Sequence, residues 1–518
     1  MSHKYEEWSK ERLVAHILKL ENTFKNARRG LPSSQPFDFS QHPTRKIALR
    51  FTYDGTYYNG LEYQKDLTPL PTVEETLWEA LVKTRLVDSE GDFNSHGWEK
   101  CGRTDRGVSA AGQVVSFWIR SKEGGHPQRE ALESADTALN LDLDDSLAAM
   151  SGWDEAPTNN TLPEVSPASQ SSPRTSQEFD YVTLLNSVLP LTLRVLSWSP
   201  VDPNFSARFN CRGRHYKYFF VSRGLNIEAM QEGAKRLVGE HDWRNLCKID
   251  PAKFRLDAEG EDRWSFRRIV RSAEVNPVHP SKTSSQPSAK RGDDDQGELY
   301  VFDLVGTAFL YNQVRHIMAV LFLIGSGLEH PSIITALLNV DPSNTYPPYE
   351  SDEPVPPVIT GKPTYQMADA LPLVLWDCKY DKEDVTWVGD LDSPVVSGDV
   401  EEKQVSINGL YAKLRSLHER SWVHLALHDH FLQAASRYHR PPKELLPFPP
   451  SNPSAPLPVI PNGTVIGIPL GGGTYRNTRY AGGKGYVKLL DMHRLDVVEV
   501  VWEKWKNGKG AKSWKGAT

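Results

Sequence analysis

Cys101-Gly102-Arg103-Thr104-Asp105-Arg106-Gly107-Val108-Ser109-Ala110 leads into the apolar run Val114-Val115-Ser116-Phe117-Trp118-Ile119. The run reads as a buried strand, which puts Asp105 on the loop that feeds it. Gly102 and Gly107 let the backbone turn sharply. Arg103 and Arg106 flank the carboxylate, and opposite charge nearby favours its ionised form. A carboxylate held this way can serve as a nucleophile or a base. A loop salt bridge is the plainer use of the same residues.

Working outward, Arg45 to Tyr53 alternates like a strand and turns at Asp54-Gly55. Thr72 with Glu75 three residues later reads as a capping box opening a helix whose apolar face holds Val73, Leu77, Ala80 and Leu81. Strand, helix, loop and strand make an α+β half-domain over 45–120. Residues 121–178 are rich in Ser, Pro, Asp, Glu and Asn without periodicity, and read as a disordered insertion. A second half-domain spans 179–380, with strands near 193–199, 214–221, 268–275 and 299–306 and helices near 227–238 and 309–325. A second polar insertion falls at 279–297. Before these halves, residues 1–30 hold a helix in which Leu13, Ile17, Leu20 and Phe24 form one seam, suited to a coiled coil or to docking on the body. After them come a helical extension, 381–440, and a Pro/Gly-rich basic tail, 441–518.

At 518 residues the chain exceeds one ordinary core. Four separated cysteines, with no CxxC pair, fit a reducing interior, nucleus and/or cytoplasm. No signal-peptide core is seen at the N-terminus, and the longest apolar run, Ile317 to Ile324, is far too short to span a bilayer. A soluble protein is therefore expected. Its net charge of -6 argues against a uniform nucleic-acid coat. From Gly471 to Thr518, however, ten Lys/Arg face four Asp/Glu, so the tail is a distinct basic arm, suited to RNA backbone or to plain solvated surface.

Two further stretches carry chemistry. Arg208-Phe209-Asn210-Cys211-Arg212-Gly213-Arg214-His215-Tyr216-Lys217-Tyr218-Phe219-Phe220 alternates on a strand, so that Arg214, Tyr216 and Tyr218 share a face that a phosphate and an unstacked base would suit. The same aromatics would also fill a sheet core. In Gly306 to Met318, Arg315 and His316 are the only side chains of the apolar segment 305–327 able to carry charge near neutrality. An arginine placed there calls for an anionic partner.

Together with Tyr53-Asp54-Gly55-Thr56, Phe205-Ser206-Ala207-Arg208-Phe209 and Leu371-Pro372-Leu373, these motifs stand in the order of the TruA family of tRNA pseudouridine synthases, which the chain resembles over roughly residues 45 to 380. Lys362-Pro363-Thr364-Tyr365-Gln366-Met367-Ala368 and the terminal extensions look most like the eukaryotic branch acting at tRNA positions 38 and 39. The resemblance implies two similar ferredoxin-like or RRM-like halves around a cleft, and isomerisation of uridine to pseudouridine without cofactor or metal. By position, Asp105 is similar to the catalytic aspartate. Tyr216 resembles the tyrosine that stacks on uracil, also a candidate base, and Arg315 the arginine paired with the aspartate. Arg103 resembles the residue entering the space a flipped base leaves. Leu371 resembles the apolar residue beneath the base, with Leu373 its rival. Arg103, Arg106, Arg208, Arg214, Tyr218, Asn312, His316 and Leu371 make up the expected substrate-binding set. A tRNA partner and a homodimer are implied as well. A tRNA-binding chaperone without turnover, or an aspartate-dependent nucleoside hydrolase, would use the same residues.

Other signals carry less. His424, His428 and His430 lack the glutamate of HExxH and any nearby cysteine. The glycine-rich 471–485 stretch has Gly485 where a phosphate loop needs Ser or Thr.

Overall fold

Alternation and capping predict the elements, and their order in space decides where Asp105 lies. The computed structural model describes residues 37–122, 178–250, 266–278, 297–351, 353–389, 409–440, 446, 465–471, 475–479 and 486–507. The expected N-terminal helix, the bulk of both polar insertions and most of 441–464 lie outside them. Residues 37–42 belong to a separate N-terminal unit with a short turn at Phe39–Gln41. The rest runs β1 Thr44–Tyr53, α1 Val73–Lys83, β2 Glu99–Lys100, β3 Ser109–Arg120, α2 Tyr181–Val188, β4 Leu193–Pro200, β5 Gly213–Val221, α3 Ile227–Lys235 and β6 Gly239–Asp242. It continues with β7 Arg267–Pro277, β8 Leu299–Gly306, α4 Gln313–Gly325, α5 Ile333–Leu338, β9 Leu373–Lys379, α6 Leu410–Ser436, β10 Val465–Pro469, β11 Tyr475–Arg479 and α7 Val498–Asn507.

One mixed sheet runs β4-β1-β3-β9-β5-β8-β7-β6, with β2 on β3. Every pairing in it is antiparallel except β3 with β9, where Ser109 faces Val374 and Ala110 faces Leu375. That parallel contact joins two halves, each with its own core. In the first, Ile47, Leu49 and Phe51 of β1 bury against Val73, Leu77 and Leu81 of α1. The helix begins where the sequence places it, because Thr72 and Glu75 exchange side-chain and backbone hydrogen bonds at its N-terminus. In the second, Tyr218 of β5 and Phe302 of β8 are buried with Phe322 of α4, all of whose residues are buried except Arg315. Burying each such side chain is worth roughly 1.5–3 kcal/mol. The architecture is the expected α+β.

The sequence reading sets 441–518 apart from the core. Leu470, Leu489 and Val498 are instead buried in the second core. Glu329 anchors this segment, its Oε1 accepting from the Tyr486 hydroxyl at 2.8 Å and the Leu489 N–H at 2.6 Å. Burial pushes its carboxyl up to about 7, against the hydrogen bonds and Lys488, with Asp491 adding to the rise. The folded state therefore holds its proton more tightly than the unfolded chain. The stability this confers is full below the ordinary carboxylate range and is lost as pH rises through about 7. Glu329→Gln keeps the acceptor without the charge. It is expected to melt higher than wild type at pH 8, by up to about 3 kcal/mol, and alike at pH 4, by calorimetry.

Among the described residues no helix is long and apolar enough to cross a membrane.

Candidate active site

The loop 101–108 is fixed from three sides. Gly55 has no Cβ, which would stand 2.3 Å from the Val108 carbonyl oxygen, so the turn after β1 presses directly on the loop. The Tyr53 hydroxyl and the Thr104 Oγ1 lie 2.6 Å apart, and the Gln113 side-chain amide donates to the Gly102 carbonyl. The Asp105 carbonyl accepts from the Val108 N–H at 3.0 Å, and Gly107 completes the reversal at φ +85°, a conformation that favours glycine. Asp105 is thereby held, half-buried, four residues before the strand that joins the halves.

Its charged neighbours are not those adjacent in sequence. Arg103 is exposed and pairs with Glu62 at 2.9 Å, and Arg106 is exposed. The cations acting on Asp105 are Arg315 and Lys248. Arg315 Nη1 stands 3.7 Å from Asp105 Oδ2, within ion-pair range but beyond a hydrogen bond, and its Nε donates to the Ala368 carbonyl at 2.9 Å. The two arginines flanking Asp105 therefore do not set its ionisation, as the sequence reading had them do. Burial raises the Asp105 carboxyl above its ordinary value, and Arg315 and then Lys248 oppose the rise. A carboxylate so placed is a stronger base than one in water.

Tyr216 shares a row with the strand that follows the loop. Across β3, β9 and β5 the register sets Ala110, Leu375 and Tyr216 side by side, which directs their side chains to one face. The half-buried Tyr216 ring meets Phe309 edge-on at 5.2 Å, and burial pushes its phenol well above the ordinary range. It is held protonated, which favours stacking over the role of base.

Arg214, one step before it on the same face, is buried. Nη1 donates to the Thr307 carbonyl at 2.8 Å, and Nη2 donates to the Cys101 carbonyl at 2.9 Å and that of Arg208 at 3.2 Å. It ties the Asp105 loop, the 205–212 segment and the approach to α4 together, and is a positioning residue here. Arg208 is half-buried, its guanidinium 5.2 Å from the Phe209 ring. Cys101, Cys211 and Cys378, distant in sequence, are free thiols buried in the first core, and the Cys211 thiol donates to the Gly213 carbonyl at 3.3 Å.

Two expected substrate contacts lie in the core. Tyr218 is fully buried, its hydroxyl between the carbonyls of Asp369 and Leu470 at 3.0 and 2.9 Å, because α4 covers β5 beyond Tyr216. His316 is buried next to Lys362, whose ammonium donates to its Nε2 at 2.9 Å. Burial and that cation push the imidazole down to about 2, so it is a neutral acceptor. Leu371 is exposed beside Ala370, which packs on Gly107, whereas Leu373 is buried, so of the two rivals only Leu371 is open to a ligand. Asn312 starts α4 at φ +60°, strained for a non-glycine residue, with its Oδ1 buried and unpartnered.

Sequence reasoning missed Lys248, an exposed lysine outside any motif. Its backbone N–H bonds the Tyr311 carbonyl and its ammonium lies 5.1 Å from the Tyr311 ring. Lys248→Met removes one of the two charges opposing the rise at Asp105. If the reaction needs the carboxylate, the acidic limb of the pH–rate profile moves to higher pH, as it also does for wild type in high salt. A limb that stays in place separates Lys248 from Asp105.

A carboxylate of raised basicity, a guanidinium across from it and a neutral aromatic on the same face can bind and rearrange a planar anion-forming group. Comparison with known proteins agrees. The family described as tRNA pseudouridine synthase matches residues 234–381. A tRNA pseudouridine(38/39) synthase of Saccharomyces cerevisiae is 36% identical over 404 residues, 73% of this chain and 72% of that one. The human protein of the same description is 38% identical over 369 residues, 71% of this chain and 62% of that one. A tRNA pseudouridine synthase A of Methanothrix thermoacetophila is 30% identical over 303 residues, 58% of this chain and 77% of that one.

Proposed function

The chain belongs to the tRNA pseudouridine synthase family, and from that premise we propose that it converts uridine to pseudouridine at positions 38 and 39 of the tRNA anticodon arm, with Asp105, Tyr216 and Arg315 as its reacting and base-holding groups. The observation carrying this reading is the Asp105–Arg315 pair, 3.7 Å apart, on the loop that enters β3, the strand joining the two halves, with Ala110 of that strand two strands across from Tyr216 in the sheet.

In the reaction the bond from C1' to N1 breaks, the uracil turns while held, C5 bonds to C1', the C5 proton leaves to solvent and N1 takes up a proton. One proton is lost and one gained, so the product is an isomer of the substrate. Asp105 attacks C1' or takes a proton from C2'. Arg315, itself held by the Ala368 carbonyl, offsets the carboxylate's charge, and Tyr216 stacks on the uracil from one side while Leu371 packs from the other. Arg103, exposed on the loop's rim, enters the gap in the stem. Extruding a base costs a few kcal/mol, which stacking on an aromatic ring offsets. The working unit is a homodimer, as the resemblance implies.

Incubating the protein with C5-tritiated tRNA tests the reading: tritium is released, with pseudouridine mapped at 38 and 39. Tight tRNA binding without release overturns it in favour of a chaperone, and release of free uracil in favour of a hydrolase.

A further inference from the structure

Lys362 is a lysine in the core, only 7 % exposed. A lysine placed so deeply ordinarily has a carboxylate beside it, yet among the described residues Lys362 forms no ion pair. Its partners are a carbonyl and a ring. Nζ donates to the Cys247 carbonyl at 2.5 Å and to His316 Nε2 at 2.9 Å, and lies 5.3 Å from the Tyr365 ring. The Leu495 N–H holds its backbone carbonyl at 2.8 Å. Both side-chain acceptors adjoin the cations that act on Asp105. Cys247 precedes Lys248, and one rigid peptide plane joins them. Lys362 holds the oxygen of that plane, while its N–H donates to the Tyr311 carbonyl at 2.8 Å. His316 follows Arg315 on α4. Arg315 is bonded through Nε and through its backbone carbonyl to Ala368, on the same segment as Lys362.

We propose that Lys362 is a positioning residue of the catalytic centre: its one ammonium ties the Lys248 peptide to α4 and so sets where Lys248 and Arg315 stand against Asp105. This rests on the proposed function, in which Asp105 reacts as the carboxylate. Arg315 and Lys248 act on Asp105 directly, and Lys362 acts through them. The groups facing the ammonium are Cys247 and Lys248 from the 243–248 turn, Arg315 and His316 from α4, and Tyr365 from its own segment. Burial pushes the ammonium down to about 8, with Cys247 opposing the fall and Lys248 adding to it, so near pH 7 it remains charged. His316 is neutral there and accepts the bond, which a protonated ring could not do. Without the tie, the 247–248 peptide keeps its bond to Tyr311 alone, and the exposed Lys248 can swing toward solvent.

Single-turnover tritium release by the full chain, measured against pH, tests this. Lys362→Met is expected to move the acidic limb to higher pH by about half a unit or more, the direction expected of Lys248→Met. It also lowers the rate about tenfold with tRNA affinity kept. The double variant moves the limb by less than the sum of the two single shifts, because Lys362 works through Lys248. Tyr365→Phe keeps the ring under the ammonium but drops its hydroxyl bond to the Asn245 carbonyl, so it melts lower with the limb in place. Lys362→Gln carries the same comparison should Lys362→Met not fold. Additive shifts give Lys362 an effect of its own on Asp105 and overturn the tie. A limb unmoved by Lys362→Met, or moved as far by Tyr365→Phe, makes Lys362 a core residue only and overturns it too. A wild type that binds tRNA without releasing tritium overturns the proposed function and this inference together.

Discussion

Asp105→Asn is expected to lower the single-turnover rate of tritium release on the order of 10^3-fold or more while tRNA binds as before. The amide keeps the size and the loop geometry, because the bonds that shape the loop run through backbone and through Thr104 and Gln113 rather than through the carboxylate. What is lost is the lone charge that can attack C1' or accept a proton, together with the anion facing Arg315. Since Arg315 keeps its bond to the Ala368 carbonyl, it is not released into the pocket. The effect should therefore fall on kcat alone, the mark of an interaction made in the transition state. A rate within tenfold of wild type, with pseudouridine at the same positions, removes Asp105 from the chemistry.

Local pattern carried the elements well. The alternation at 299–306 coincides with β8, and the capping box at Thr72 opens α1 where the spacing requires. It could not supply the order of strands. β9 lies more than 250 residues beyond β3 and pairs with it through only two residue pairs, yet that short parallel contact puts the Asp105 loop at the centre of the sheet. The same limit governs the site. Period two correctly sets Arg214, Tyr216 and Tyr218 on one face, but what covers each is decided by distant segments. Backbone carbonyls enclose Arg214, α4 closes over Tyr218, and only Tyr216 stays partly open. Charge adjacency misled in the same way, since Arg103 turns to Glu62 while Arg315 and Lys248, each more than 140 residues away, act on Asp105. The tail shows the converse: its excess of Lys and Arg reads as solvated surface, while Val498, Val501 and Trp502 recur at helical spacing and Val498 and Trp502 pack on the second core.

The covering of Arg214 leads to the second large effect. A phosphate ligand and a structural clamp are both arginines in sequence, and they answer differently to lysine. Here one buried guanidinium serves three carbonyls, two through Nη2 and one through Nη1, a fork that an ammonium cannot reproduce. Arg214→Lys should therefore lose nearly as much stability as Arg214→Met, about 3 kcal/mol in urea unfolding, because either leaves buried carbonyls unpaired. With Cys101, Arg208 and Thr307 no longer tied together, kcat should fall in both variants, while the slope of tRNA affinity against salt stays that of wild type. A residue neutralising a phosphate behaves oppositely: lysine restores binding, and methionine reduces the salt slope by about one. A stable Arg214→Lys enzyme with normal turnover would return Arg214 to the substrate, and the loop carrying Asp105 would then need another brace.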